Sequence, residues 1–165
     1  MWSPGFSDPG TPGSGAADAA AYNAVVASAD RDAVVAALEA FFAGPPAGTA
    51  AVYLFGSLAR GDSTPGSDVD VAILFEQDPP RTLEGLHLDL GDTLQAALGR
   101  PVDLVVLNHA TPDLVHRVLR DGILVCERNP SARVRFEVRL RNEYFDMEPV
   151  RRLYRRARTA GADVR

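Results

Sequence analysis

The chain has 165 residues, of which 46% are hydrophobic, and its formal net charge is −5. This length predicts one domain, and this composition allows a buried core. No apolar run reaches the roughly 20 residues of a membrane-spanning helix, so we expect no membrane segment. All 17 basic residues are arginines, and the lack of lysine excludes a P-loop, whose lysine contacts nucleotide phosphates.

Residues 1–15 are rich in Gly, Pro and Ser, which predicts a flexible N-terminal tail. Residues 1–20 lack the basic and apolar regions of a secretory signal. A single cysteine, Cys126, cannot form an internal disulfide. A cytoplasmic location is therefore the expectation.

Apolar periodicity and the positions of Gly and Pro predict alternating helices and strands over the rest of the chain. The first helix falls within 16–43, with Asp30 as an N-cap for its clearest part. We assign 16–127 to a core and 128–165 to a basic helical segment of the same domain. The later elements are predicted as strand 49–55, a short helix at 57–61, strand 69–75, helix 82–98, strand 102–107, helix 111–121, strand 123–127 and a long helix over 130–160 that Pro149 breaks.

The stretch VYLFGSLARGDSTPGSDVDVAILF, residues 52–75, carries the strongest chemical signal. An apolar strand ends at Gly56 and Ser57, and the next strand begins with Asp68 and Asp70. Side chains two apart in a strand point to the same face, so both carboxylates share one space. Paired hard oxygen ligands suit Mg²⁺ bridged to a phosphate, and a Gly-Ser helix start suits phosphate oxygens. The pattern therefore predicts nucleotide chemistry.

The position of the motifs also predicts the topology. If the end of strand 49–55 and the start of strand 69–75 serve one site, the two strands are antiparallel. Strand 102–107 begins beside Asp103 and should run parallel to strand 69–75, connected by the crossover helix 82–98. The prediction is an α/β (α+β) fold with a mixed four-stranded sheet flanked by helices, and with Asp68, Asp70 and Asp103 at one edge.

The arrangement resembles the motif of the polymerase-β superfamily of nucleotidyltransferases, in which the matching positions are Gly56, Ser57, Asp68 and Asp70. Arg60-Gly61 completes the GSxARG variant of the minimal nucleotidyltransferases in that superfamily. The resemblance implies that Asp68, Asp70 and Asp103 act as catalytic residues that hold two Mg²⁺ ions. It also implies that Gly56, Ser57 and Arg60 bind ATP, the substrate. A surface pair between Arg60 and Asp62 is the alternative for that arginine.

The C-terminal segment resembles the antitoxins of HEPN/MNT toxin–antitoxin pairs. The matching positions are Ala132-Arg133, Phe136-Glu137, Tyr144, Asp146, Pro149 and Tyr154. The resemblance implies an antitoxin that transfers AMP from ATP to a tyrosine hydroxyl of a partner HEPN ribonuclease, releases pyrophosphate and silences the toxin. A hetero-oligomer with that toxin is expected, and direct contact with nucleic acid is not.

Charge is divided unevenly along the chain. Residues 1–127 carry 17 acids and 6 arginines, a net charge of −11, whereas residues 128–165 carry 5 acids and 11 arginines, a net charge of +6. Arginines interleaved with Phe136, Tyr144, Phe145 and Tyr154 are typical of a partner-binding surface, and a solvated helix face is the other interpretation.

Two other functions stay open from the sequence. A small-molecule nucleotidyltransferase of the aminoglycoside type would use the same core, but it usually carries a larger C-terminal domain than residues 128–165 provide. A non-catalytic antitoxin would act by binding alone, but it would have no need for three carboxylates.

Overall fold

The computed structural model describes residues 30–44, 46–64, 66–82 and 88–146. Within them, its helices and strands follow in the order α1 (30–42), β1 (Thr49–Phe55), α2 (Gly56–Arg60), β2 (Val69–Phe75), α3 (Leu88–Leu98), β3 (Val102–Val106), a 3-10 turn (Leu107–His109), α4 (Pro112–Asp121), β4 (Ile123–Glu127) and α5 (Pro130–Asp146).

The four strands form one mixed sheet in the order β3-β2-β1-β4. Strand β1 is antiparallel to both of its neighbours, β2 and β4, while β2 and β3 are parallel. The parallel pair requires a crossover, and α3 lies in that connection. The predicted fold class and the predicted strand directions are therefore confirmed.

Helices cover both faces of the sheet. Helices α1 and α3 pack on one face, and α4 and α5 pack on the other. Because β1 and β2 are covered on both sides, their apolar runs are almost continuous rather than alternating. The fully buried large side chains include Leu38, Phe42, Leu54, Leu58, Ile73, Leu74, Leu94, Leu107 and Val115.

Helix α5 docks on the sheet through one narrow stripe, Ala132, Phe136 and Leu140, which are spaced by one helical turn and buried. Phe136 therefore belongs to the core, and the interpretation of this residue as part of a partner surface is wrong. Tyr144 stacks on His116 of α4, with ring centroids 3.9 Å apart, whereas Phe145 is 58% exposed.

Polar groups at the edge of this stripe hold α5 in place. The Tyr53 hydroxyl of β1 donates to Glu137 Oε1 at 2.9 Å, and Arg133 donates to Glu137 and to Glu127, each at 2.5 Å. Burial, followed by the Glu137 carboxylate, raises the pKa of Tyr53, so its hydroxyl remains a donor. The Ala-Arg and Phe-Glu pairs of the C-terminal signature are thus packing and anchoring residues.

Several boundaries differ from those predicted. Helix α3 is described from Leu88, since residues 83–87 lie outside the described residues. Strand β3 ends at Val106, because Asn108 then turns back to the end of β2, where its side chain accepts from Phe75 N–H and donates to Phe75 O. Asp30 is already helical and pairs with Arg100, so it is not an N-cap.

Other predictions lie outside the described residues: the tail 1–15, the start of the first helix, Tyr154, and the helix break at Pro149. No helix in the described part of the chain combines the length and apolar character needed to cross a bilayer.

Candidate active site

The three predicted carboxylates come together where β1 ends and where β2 and β3 begin. Asp70 lies opposite Phe55 of β1 and opposite Asp103 of β3 in the sheet register. Paired positions in neighbouring strands place their side chains on the same face. Asp68 precedes Asp70 by two residues, immediately before β2.

Gly56 brings the two halves of the motif into contact. Its backbone has a φ of +74°, the left-handed region that favours glycine. A Cβ at this position would lie 2.6 Å from Asp70 Cγ and closer still to Asp70 Oδ2. Glycine is therefore required on two grounds, conformation and space, and the Asp70 carboxylate lies directly against the backbone where α2 begins.

Helix α2 starts without a side-chain cap. In the described residues its N-cap position is Phe55, which makes no side-chain capping hydrogen bond. Capping oxygens ordinarily satisfy the N–H groups of a first helical turn. The sequence at this turn, Gly56-Ser57, leaves that role to water or to a bound oxygen.

The surroundings of Asp70 disfavour the charged form of its carboxylate. The pKa of Asp70 is raised, first by burial and then by the negative charges of Asp103 and Asp68, while Arg60 acts in the opposite direction. A half-buried carboxylate surrounded by like charges gains most from a cation that neutralises the group. The electrostatics therefore fit the predicted metal ligands.

The arrangement is an open row of carboxylates at the sheet edge. Among the described residues, no group of three His, Cys, Asp or Glu side chains converges closely enough to hold a metal ion by itself. Asp68 and Asp103 are exposed, and Asp70 is half-buried. Mg²⁺ commonly takes one or two protein carboxylates and completes its shell with water and substrate phosphates, so an open row suits it.

Arg60 forms the pair that the alternative interpretation predicted. Its Nε donates to Asp62 Oδ2 at 3.2 Å, and both side chains are largely exposed. It also lies close enough to Asp70 and Asp121 to favour the charged form of each carboxylate, although burial keeps the pKa of Asp70 raised. Exposed ion pairs contribute about 0–1 kcal/mol, so Arg60 can exchange Asp62 for a phosphate at little cost.

Arg100 is a supporting residue that the sequence did not reveal. Its guanidinium donates to Ser67 O at 2.9 Å, next to Asp68, and to both carboxylate oxygens of Asp30 in α1. A backbone hydrogen bond of 2.9 Å from Val69 N to Pro101 O runs alongside. An arginine before a strand is too common to signal such a role.

Comparison with known proteins shows the family. The family model for polymerase beta, nucleotidyltransferase matches residues 46–131, just over half of the chain and all of the motif. A protein adenylyltransferase MntA from Thermococcus cleftensis is 33% identical over 78 residues, which cover 47% of this chain and 76% of that protein. A protein of the same name from Shewanella oneidensis is 36% identical over 72 residues, covering 43% of this chain and 49% of that protein.

Solved structures share the fold at lower identity. A toxin–antitoxin structure with AMP-PNP aligns with a TM-score of 0.62 at 23% identity, covering 78% of this chain and 98% of the other. A chain from a structure of the tri-AMPylated Shewanella oneidensis HEPN toxin in complex with MNT antitoxin aligns with a TM-score of 0.57 at 20% identity. The alignment covers 81% of this chain and 98% of the other. The predicted resemblance to the minimal nucleotidyltransferases is confirmed, and the chain belongs to the polymerase beta nucleotidyltransferase family.

Proposed function

We propose that this chain is an antitoxin that transfers AMP from ATP to a tyrosine hydroxyl of a partner HEPN ribonuclease, releasing pyrophosphate and silencing the toxin. The observation that carries the proposal is the contact of Asp70 with the Gly56 backbone, beside Asp68 and Asp103. That contact joins a carboxylate row to a helix start within one site, as nucleotide chemistry requires.

The nucleotide side of the site is assigned to Asp68, Asp70, Gly56, Ser57 and Arg60. Asp68 and Asp70 would hold two Mg²⁺ ions, which supply charge neutralisation of the triphosphate and acidify the attacking hydroxyl. Gly56 and Ser57 would donate backbone N–H groups to the β- and γ-phosphates. Arg60 would leave Asp62 and neutralise the charge that develops on the departing pyrophosphate.

The transfer step is a displacement at phosphorus. The acceptor oxygen forms a bond to the α-phosphorus, and the bond from that phosphorus to the β-phosphate bridging oxygen breaks. Pyrophosphate leaves with the electron pair. Asp103, which lies opposite Asp70 in the sheet register, would either receive the hydroxyl proton or complete the second metal's ligands, in which case the proton would pass to water. A phenol has a reference pKa of about 10, so it needs less activation than an aliphatic alcohol.

The partner assignment rests on the relatives and on the C-terminal signature. Both curated relatives are named protein adenylyltransferases, and one solved structure with this fold contains an AMPylated HEPN toxin. We infer a cytoplasmic hetero-oligomer with such a toxin, without direct contact to nucleic acid.

The test is intact-mass measurement of a candidate HEPN toxin, sought in the neighbouring reading frame, after incubation with this chain, ATP and Mg²⁺. A mass increase of one or more AMP groups that maps to tyrosine supports the proposal. Asp68→Asn combined with Asp70→Asn should abolish the increase, and Asp92→Asn, an exposed change on α3, should not. If the toxin is silenced without a mass change, the chain acts by binding alone, and the proposed chemistry is wrong.

A further inference from the structure

A groove of about 350 Å³ lies between α4 and α5, apart from the carboxylate row. Its floor is apolar, and its rim carries basic and aromatic side chains. The volume lies at the small end of the range for ligand pockets, roughly 300–1,000 Å³. The floor and rim are formed by Val115, Leu119, Leu140, His116, Arg120, Arg141 and Phe145.

The groove reaches the catalytic edge through the end of α4. Arg120 lines the groove, and the next residue, Asp121, is the last of the helix. The chain then enters β4 beside the end of β1: Ile123 pairs with Leu54, two residues before Gly56. A segment that lies in the groove and leaves it past Asp121 would therefore come close to the carboxylates.

Within the part of the chain that the structure describes, the lining contains two arginines and no carboxylate. Arg120 is held by Asp121, with donors 2.7 and 2.6 Å from the two carboxylate oxygens. Arg141 is exposed and forms no ion pair with any described residue. Phe145 beside it is 58% exposed, an unusual exposure for an aromatic side chain. An apolar floor, with a guanidinium at its rim that pairs with no carboxylate in the described ranges, matches an apolar side chain next to an acidic one.

We propose that this groove docks an acidic segment of the acceptor protein and so holds its hydroxyl at the carboxylate row. The inference rests on the proposed function, because it needs a protein acceptor. Charge argues against the chain's own C-terminus as occupant, since residues 147–165 carry six arginines and two acidic residues, a net charge of +4. Like charges at the rim would repel that segment.

The experiment compares full-length Arg141→Glu and Phe145→Ala with Arg135→Glu, which makes the same charge change at an exposed α5 position that does not line the groove. Initial rates of AMP transfer are measured over a range of concentrations of the candidate HEPN toxin. Both groove variants should raise KM for that protein about tenfold with kcat nearly unchanged, and Arg135→Glu should not. Affinity for ATP and melting temperature should match wild type in all three.

The outcomes separate this inference from the proposed function. If the wild-type chain does not modify the HEPN protein, the function itself is wrong. If it does, and Arg141→Glu has the same KM as Arg135→Glu, the groove is not the docking site. A lower melting temperature in both groove variants would mean that the chain's own residues fill the groove. A dimer that Arg141→Glu dissociates, seen by light scattering, would assign it to a second copy.

Discussion

Gly56→Ala tests the contact on which the site is built. Alanine at this position would have to adopt a φ near +74°, which costs about 1–2 kcal/mol for an L-residue. Its Cβ would also overlap the Asp70 carboxylate and lie 3.0 Å from Asp70 Cβ, and relief of such overpacking costs about 1–3 kcal/mol more. The total of about 2–5 kcal/mol corresponds to a fall of roughly 10 °C in melting temperature for a chain of this size.

Activity should suffer more than stability. Asp70 can relieve most of the overlap only by turning its carboxylate away from α2, and a misplacement of about 1 Å at a reacting centre costs roughly 100-fold in rate. Gly61→Ala is the matched control, because Gly61 has a φ of +78° and a Cβ there would meet nothing within 4 Å. This control should lose only about 1–2 kcal/mol, with AMP transfer unchanged.

Thermal unfolding and intact-mass measurement of AMP incorporation check both variants. Gly56→Ala should also cost less stability in an Asp70→Ala background than in the wild-type chain, because the overlap with the carboxylate is then gone. Equal losses of stability and activity for Gly56→Ala and Gly61→Ala would refute the reasoning, since the contact with Asp70 would then contribute nothing.

Four further changes have distinct outcomes. Asp70→Asn should raise the melting temperature in EDTA at pH 7, because burial and neighbouring carboxylates raise the pKa of Asp70 and make its charge destabilising. As the pH is lowered, this gain in melting temperature should shrink through the raised pKa and vanish below the ordinary value of 3.8. Asp103→Ala should slow transfer with little change in calorimetric affinity for AMP-PNP and Mg²⁺, and lost nucleotide binding would instead place Asp103 among the ligands of the first metal. Tyr53→Phe should cost about 1–2 kcal/mol in urea unfolding, since it removes a hydrogen bond to the Glu137 carboxylate, and leave transfer intact. Gly122→Ala should cost about 1–3 kcal/mol in the same assay, because its Cβ would lie 3.2 Å from Leu54 O and closer to a carbonyl oxygen of α4.

The sheet and the carboxylate row could be predicted because one constraint determines both. Asp residues are rare in strands, so their presence at strand starts indicated one common site for Asp68, Asp70 and Asp103. Bringing them together forces β1 antiparallel to β2 and β3 parallel to it, and the structure has those directions. Strands β1 and β2 were also bounded correctly, because Gly56 and the polar loop interrupt otherwise continuous apolar runs.

The role of α5 could not be predicted in the same way. Val134 and Val138 lie exposed on the side opposite Phe136, so apolar residues occur around the helix and hide its buried stripe. Arginines beside aromatic residues then resembled an interface throughout. The buried stripe of Ala132, Phe136 and Leu140 and the long-range contact between Tyr53 and Glu137 show which residues face the sheet. Partner recognition by residues 128–165 stays a prediction, now concentrated on Arg141 and Phe145.

The pairing of Asp70 with both neighbouring strands limits the changes in strand register that the site can tolerate. The carboxylate row is positioned by backbone pairing, Asp70 with Phe55 on one side and with Asp103 on the other. A slip of one residue would turn the row to the opposite face and bury the wrong residues, so correct folding and a correct site cannot be separated. Gly61 and Gly66, which follow α2 and precede β2, are less constrained in space, since a Cβ at either glycine would meet nothing within 4 Å, although their φ values of +78° and +92° still favour glycine. Changes at these two glycines would therefore lower stability without displacing the carboxylate row, whereas a change at Gly56 would do both.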